Sequence, residues 1–143
     1  MLFLEKSDCL NKMYKIIGAA MELYNELGFG YSEPIYQECL SILCTEKGIP
    51  WEREKALSMV FHGHLLKKQY IADFVCYNHI IVELKAVSEL NSDHRSQLFN
   101  YLRITDSYAG LLINFGDPQR LISERYLYNP LTADYQYVTR NKT

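Results

Sequence analysis

Residues 70–86 read YIADFVCYNHIIVELKA, and the layout of the whole chain turns on them. Tyr77-Asn78-His79 is a turn-forming triplet between two runs rich in β-branched and aromatic residues. That predicts a hairpin with strands over about 70–77 and 79–86. Ala72, Phe74 and Cys76 share one face of the first strand, and Ile80, Val82, Leu84 and Ala86 one face of the second. For both apolar sets to meet one core, residues of the same parity must lie opposite each other, so the turn must hold an odd number of residues. Ala72 then faces Leu84, Phe74 faces Val82 and Cys76 faces Ile80. The same register sets Asp73 opposite Glu83 on the other face, with Cβ atoms about 4.5–5.5 Å apart and Lys85 beside them. Ile71, Val75 and Ile81 accompany them, so that face is covered too. Two carboxylates there repel each other and are costly to desolvate. Lys85 or a divalent cation between them would relieve this. An Asp–Lys or Glu–Lys ion pair at a sheet edge also accounts for the acids taken by themselves.

Outward from the hairpin, apolar spacing marks the other elements. Leu10, Met13, Ile17, Ala20, Tyr24 and Leu27 recur every three or four residues, which predicts a helix over about 7–27. Ser7 or Asp8 caps its start, and Gly28-Phe29-Gly30 ends it. A second helix starts at the N-cap Ser32 with Pro34 in its first turn, carries Ile35, Cys39, Leu40 and Leu43 inward, and stops at Lys47-Gly48. Residues 51–60 are mixed in character, and Phe61-His62-Gly63-His64 reads as a turn between strands. A helix follows over about 92–104. The nearly unbroken apolar run from Tyr108 to Phe115 predicts a strand covered on both faces. Residues 121–129 make a last strand, and the polar tail from about 130 reads as loose. Helix, helix, three strands, helix, strand, strand is an α/β or α+β sandwich. The helical connection is long enough to make the strands on either side of it parallel.

The chain has 143 residues with 48% hydrophobic and 22% charged, which suits one globular domain over 1–143 and excludes a disordered or low-complexity chain. No run approaches the roughly 20 apolar residues of a membrane span. The N-terminus turns charged at Glu5-Lys6, unlike a signal peptide, so the expectation is a cytoplasmic protein with no membrane partner. A net charge of −2 gives no global pull toward nucleic acid, so a phosphate-binding function needs a local basic patch or a bound cation. Cys9, Cys39, Cys44 and Cys76 form no CxxC pair and read as buried thiols.

Read together, Gly30-Tyr-Ser-Glu33-Pro-Ile-Tyr36, Asp73, Glu83-Leu84-Lys85 and Gln97-Leu-Phe-Asn-Tyr101 match GxxExxY, D…ExK and QxxxY. In that order and spacing, from about Leu10 through the Leu111-Leu-Ile-Asn-Phe-Gly116 segment, the chain closely resembles the GxxExxY proteins. These are a family of the PD-(D/E)XK nuclease superfamily, in its RecB-like branch. Ala72 stands where the superfamily's name has proline, a position without a catalytic group. The resemblance implies a restriction-endonuclease-like α/β core, a central mixed β-sheet flanked by helices on both faces. It implies a metal-dependent nuclease that hydrolyses phosphodiester bonds, with Glu33, Asp73, Glu83 and Lys85 as catalytic residues. Glu33, Asp73, Glu83 and the backbone carbonyl of Leu84 would hold Mg²⁺ or Mn²⁺. Gln97, Tyr101 and His94, on one face of a helix, would contact substrate or orient the site. The partner implied is nucleic acid, DNA ahead of RNA. A homodimer or partner protein would enlarge the binding surface. The alternative is a catalytically silent nucleic-acid-binding or accessory subunit on the same fold; a third reading is a structural protein whose acids form only an ion-pair network.

Each feature also has a plainer explanation. Glu33 suits a helix N-terminus, where the dipole favours an acid by about 0.3–1 kcal/mol. Gln97 and Tyr101 suit a polar helix edge. His62 and His64 lack the further ligands of a zinc site. Lys67 and Lys68 with Arg53 and Lys55 make a basic strip, or equally a solvated edge that discourages aggregation.

Overall fold

The computed structural model describes residues 3–105, 107, 109–129 and 131–138. In chain order the elements are α1 (Phe3–Leu27), α2 (Glu33–Glu46), β1 (Trp51–Phe61), β2 (His64–Cys76), β3 (Ile80–Lys85), α3 (Ser92–Thr105), β4 (Ala109–Asn114), β5 (Ile122–Asn129) and β6 (Asp134–Tyr137). The six strands form one sheet in the order β1-β2-β3-β4-β5-β6. Among the described residues only β3 and β4 pair in parallel, and α3 makes the crossover between them. The expected α/β architecture, a mixed sheet with helices on both faces, is present. No described helix is long and apolar enough to cross a membrane.

Strand alternation divides the core into two layers. Phe74, Cys76, Ile80, Val82, Leu84, Leu111 and Ile113 pack under α1 and α2, against Met13, Ile16, Tyr36 and Leu40. Val75, Ile81 and Leu112 face α3, with Leu98, Tyr101 and Leu102. A Cβ on Gly110 would lie 2.9 Å from Leu98 Cδ1, so the missing side chain lets α3 approach β4 closely. Arg95 Nε and Nη2 each donate to the Glu124 carboxylate at 2.8 Å, and the Tyr135 hydroxyl donates to the Phe99 carbonyl at 3.0 Å. These bonds hold α3 on the sheet.

Phe74↔Val82 and Cys76↔Ile80 pair as the register argument requires, around the three-residue turn at Tyr77-Asn78-His79. Ala72 departs from expectation. It is buried in the α3 layer, while Phe74 is buried in the other. The ladder with β3 ends at Phe74, and β2 continues over α3 as a long two-stranded ribbon with β1. Ile35, expected inward, is 40% exposed, and Cys39 is only half-buried. Tyr36 sets the rotation of α2 instead: its ring stacks on Phe115 at 4.5 Å and its hydroxyl donates to the Gly28 carbonyl at 2.6 Å. Helix α1 begins at Phe3, earlier than its apolar stripe suggests. The polar tail expected to be loose contains strand β6, paired antiparallel with β5. Tyr108, Pro130 and residues 1–2 and 139–143 lie outside the described residues.

Candidate active site

The two acids of the hairpin meet where β2 and β3 part. One step beyond the last regular pair, side chains take over the work of the ladder. The Leu84 N–H donates to Asp73 Oδ2 at 2.8 Å, and the Asp73 N–H donates to Glu83 Oε1 at 3.1 Å. Two backbone donors that a continued ladder would satisfy are thus bound by carboxylates. The exchange also fixes the carboxylates side by side. Glu83 is 2% exposed, and burial, then the Asp73 charge, pushes its carboxyl up to about 9. Burial also raises Asp73, against the Leu84 N–H, the Glu83 hydrogen bond and the Lys85 charge. Both shifts favour the protonated form of the pair, and the rise is larger at Glu83, the more deeply buried of the two.

Lys85 is two residues beyond Glu83 and so projects from the same face of β3. Its Nζ donates to Gln97 Oε1 at 3.3 Å, and Gln97 Nε2 donates to the Tyr101 hydroxyl oxygen at 2.9 Å. Gln97 and Tyr101 lie one turn apart on α3, which lets one bond the other. Tyr101 is buried; its hydroxyl is pushed up to about 12 by that burial and by the Glu83 charge. Tyr70 of β2 packs edge-on against it at 5.8 Å. Tyr70, His94, Gln97, Asn100 and Tyr101 line a cleft of about 390 Å³ that neither Asp73 nor Glu83 lines.

This acid pair at the fork of a hairpin, with a lysine two residues on, lies inside residues 11–125, which match the PD-(D/E)XK nuclease superfamily. The chain belongs to that superfamily. No curated protein matches it. Among solved structures it is similar to the crystal structure of SSO0001, at 22% identity and a TM-score of 0.51, over 70% of this chain and 53% of that one. The chain thus spans about half of that structure's length, and the likeness concerns the fold.

PD-(D/E)XK nucleases typically use divalent metals. The donor set here fits one. Asp73 and Glu83 are hard oxygen donors whose nearest lysine is hydrogen-bonded to Gln97, and Mg²⁺ is commonly held by one or two carboxylates with water and phosphate. Leu84 lies between Glu83 and Lys85, with its N–H engaged by Asp73. Glu33 is not brought to these acids. It is half-buried in the first turn of α2, in the opposite layer. Tyr36, one turn on, stacks on Phe115, whose N–H donates to the Lys85 carbonyl at 2.8 Å. The start of α2 therefore reaches the end of the sheet where Lys85 lies, from the other side. Among the described residues, no three Asp, Glu, His or Cys side chains gather as a metal-holding group.

His94 lines the cleft, and it also caps α3. Its Nδ1 accepts from the Asn91 N–H at 3.1 Å while its own N–H donates to Asn91 Oδ1 at 3.0 Å. This is the reciprocal bonding of a capping box, with histidine in the place of glutamate.

Two further residues around this candidate site are not singled out by motif spacing. Asn114, 1% exposed at the end of β4, accepts on Oδ1 from the Val87 and Gly116 N–H groups, each at 3.0 Å. Its Nδ2 donates to the Val87 carbonyl at 2.8 Å. It thereby staples the segment after Lys85 to the segment after β4. A Cβ on Gly116 would fall 2.2 Å from the Val87 carbonyl oxygen, so that approach admits only glycine. The signal for Asn114 was a lone amide at the end of an apolar run. Glu54 stands across from Asp73, between the pairs Arg53↔Phe74 and Lys55↔Ala72, with a left-handed φ of 53°. Its charge adds to the rise of the Asp73 carboxyl. No sequence signal marks a left-handed glutamate.

Proposed function

We propose that the protein is a metal-dependent nuclease that hydrolyses phosphodiester bonds of nucleic acid, DNA ahead of RNA. The observation that carries this reading is a carboxylate pair fixed by backbone N–H donors beside a lysine tied to Gln97 and Tyr101. Asp73, Glu83 and the Leu84 carbonyl would hold Mg²⁺ or Mn²⁺, without Glu33, which stands apart from them. Such an ion, when bound, lowers the pKa of water and stabilises negative charge on a phosphate.

The chain's own residues supply the rest. Hydrolysis joins the water oxygen to phosphorus and breaks the bond to one sugar oxygen, leaving a phosphate monoester and a hydroxyl end. Lys85 Nζ donates to the phosphate oxygens on which charge grows. Gln97 aims that Nζ, and Tyr101 holds Gln97 in place, so both are positioning residues. A metal would be held by Glu83 in its carboxylate form, which burial and the Asp73 charge disfavour, so loading would be easier as pH rises.

The test is a cleavage screen in Mn²⁺ and in Mg²⁺ over linear and circular DNA, single strands and RNA. Wild type is run beside Glu83→Ala and Lys85→Ala. Cutting that both substitutions abolish is expected. Absence of cutting on every substrate, or full activity in Lys85→Ala, would sink the reading. One observation favours the second reading, a silent nucleic-acid-binding subunit: Glu33 stands apart from the acid pair. That reading predicts binding without cleavage in the same screen.

A further inference from the structure

The β1–β2 ribbon extends beyond β3, past the last rung at Phe74↔Val82. From Ala56 to Ile71 it contains Lys67, Lys68, His62 and His64 and not one Asp or Glu, in a chain with 17 acids and a net charge of −2. Every residue from Met59 to Gln69 is exposed. The register slips between Ser58 and Val60, so Leu66, Lys67 and Lys68 stand against Met59 alone. A bulge of this kind re-aims side chains, here both lysines. Phe61 at the tip is 59% exposed.

The ribbon also leads to the site. Lys68 Nζ lies 5.7 Å from the centre of the Tyr70 ring, and Tyr70 packs on Tyr101, which Gln97 joins to Lys85. Three residues after Tyr70 the same strand supplies Asp73. The lysines of the arm are therefore joined to the site by Tyr70, Tyr101 and Gln97, and along β2 to Asp73.

We infer that this ribbon is a duplex-DNA-binding arm that enters the major groove and delivers a backbone to Asp73, Glu83 and Lys85. The inference rests on the nuclease reading and names its substrate. The B-form major groove, about 12 Å wide, admits a two-stranded ribbon, whereas that of A-form RNA is too deep and narrow. Phosphates pair with Lys67 and Lys68, which supply affinity without sequence choice. The exposed apolar residues at the tip, Phe61 among them, meet base edges and thymine methyls.

The experiment measures binding apart from cleavage. Fluorescence anisotropy in EDTA reads the affinity of the full chain for a labelled 24-base-pair DNA duplex, the same single strand and the matching RNA duplex. Wild type is compared with the double variant Lys67→Gln/Lys68→Gln and with Lys6→Gln/Lys15→Gln on α1, which changes charge equally away from the arm. Circular dichroism checks that each is folded. The expected result is tightest binding to duplex DNA. The arm variant should bind at least about tenfold more weakly, with a log–log salt slope shallower by about 2, while the α1 variant binds as wild type. Equal affinity of arm variant and wild type, or preference for single strands or duplex RNA, overturns the inference. So does a shift from dimer to monomer on Phe61→Ser/Leu65→Ser in light scattering with duplex affinity kept, since the arm would then join two copies of the chain. Mn²⁺-dependent cleavage is read separately: arm-dependent binding without any cleavage would overturn the nuclease reading and leave the arm's DNA contact standing.

Discussion

Replacing Glu83 by Gln should make the metal-free protein more stable at neutral pH and largely indifferent to metal. An unfolded glutamate titrates near 4.5, whereas burial and the Asp73 charge push Glu83 to about 9 in the fold. Between those values the folded state binds more protons than the unfolded one, so stability falls as pH rises through the window. At pH 7 the gap from 4.5 is about 2.5 units, and at about 1.4 kcal/mol per unit the cost is at least about 3 kcal/mol. Asp73, raised in the same direction, adds to the slope. Glutamine mimics the protonated side chain. Its Oε1 accepts from the Asp73 N–H and its Nε2 donates to the Asp73 carboxylate, so the packing survives. For a chain of this size about 3 kcal/mol raises Tm by roughly 6–12 °C. Urea unfolding from pH 5 to 8 in EDTA should show the Glu83→Gln advantage growing with pH and vanishing toward pH 4.5. Repeated in Mn²⁺ at about a hundred times its Kd, wild type should gain about 2.7 kcal/mol and the variant far less. Equal stability of the two proteins at every pH would mean that Glu83 carries no such burial cost.

Other expectations concern the groups around the pair. Asn114→Ala strands the Val87 N–H and carbonyl and the Gly116 N–H in a partly buried place. It should cost about 3 kcal/mol or more in urea unfolding. Gln97→Ala frees Lys85 Nζ; kcat for cleavage should fall roughly 10–100-fold with KM and the unfolding midpoint little changed, and Tyr101→Phe should lie between. Asn91→Ala breaks the reciprocal cap with His94 and should lower stability by about 1 kcal/mol, read as a shift in the urea midpoint.

The hairpin register was legible because strand faces alternate strictly and an odd-numbered turn leaves only one parity open. That reasoning stopped at Phe74, where β2 leaves β3 and Ala72 turns to the other core. Left-handed Glu54 lies at this point, and nothing local in the sequence announces it. Gln97 and Tyr101 were legible as a pair because helix spacing alone puts them on one face. Glu33 shows the limit of motif reading: the spacing names the residue, but α2 packs in the opposite layer and its carboxylate does not join Asp73 and Glu83. Strand β6 was hidden in a polar tail, although Tyr135 and Tyr137 carry a short period-2 signal that their contacts with Tyr128 and Tyr126 now explain.

Asp73, Glu83 and Lys85 are proposed to form a phosphodiester-cleaving centre. Single-turnover cleavage of labelled duplex DNA in Mn²⁺ by wild type and Lys85→Gln, with Mn²⁺ affinity measured on both by calorimetry, tests it most directly. Cutting by wild type is expected, with a loss of about a hundredfold or more in Lys85→Gln and closely similar Mn²⁺ affinity in the two. Cutting by Lys85→Gln at the wild-type rate, or a wild type that binds Mn²⁺ and duplex yet never cuts, would contradict it.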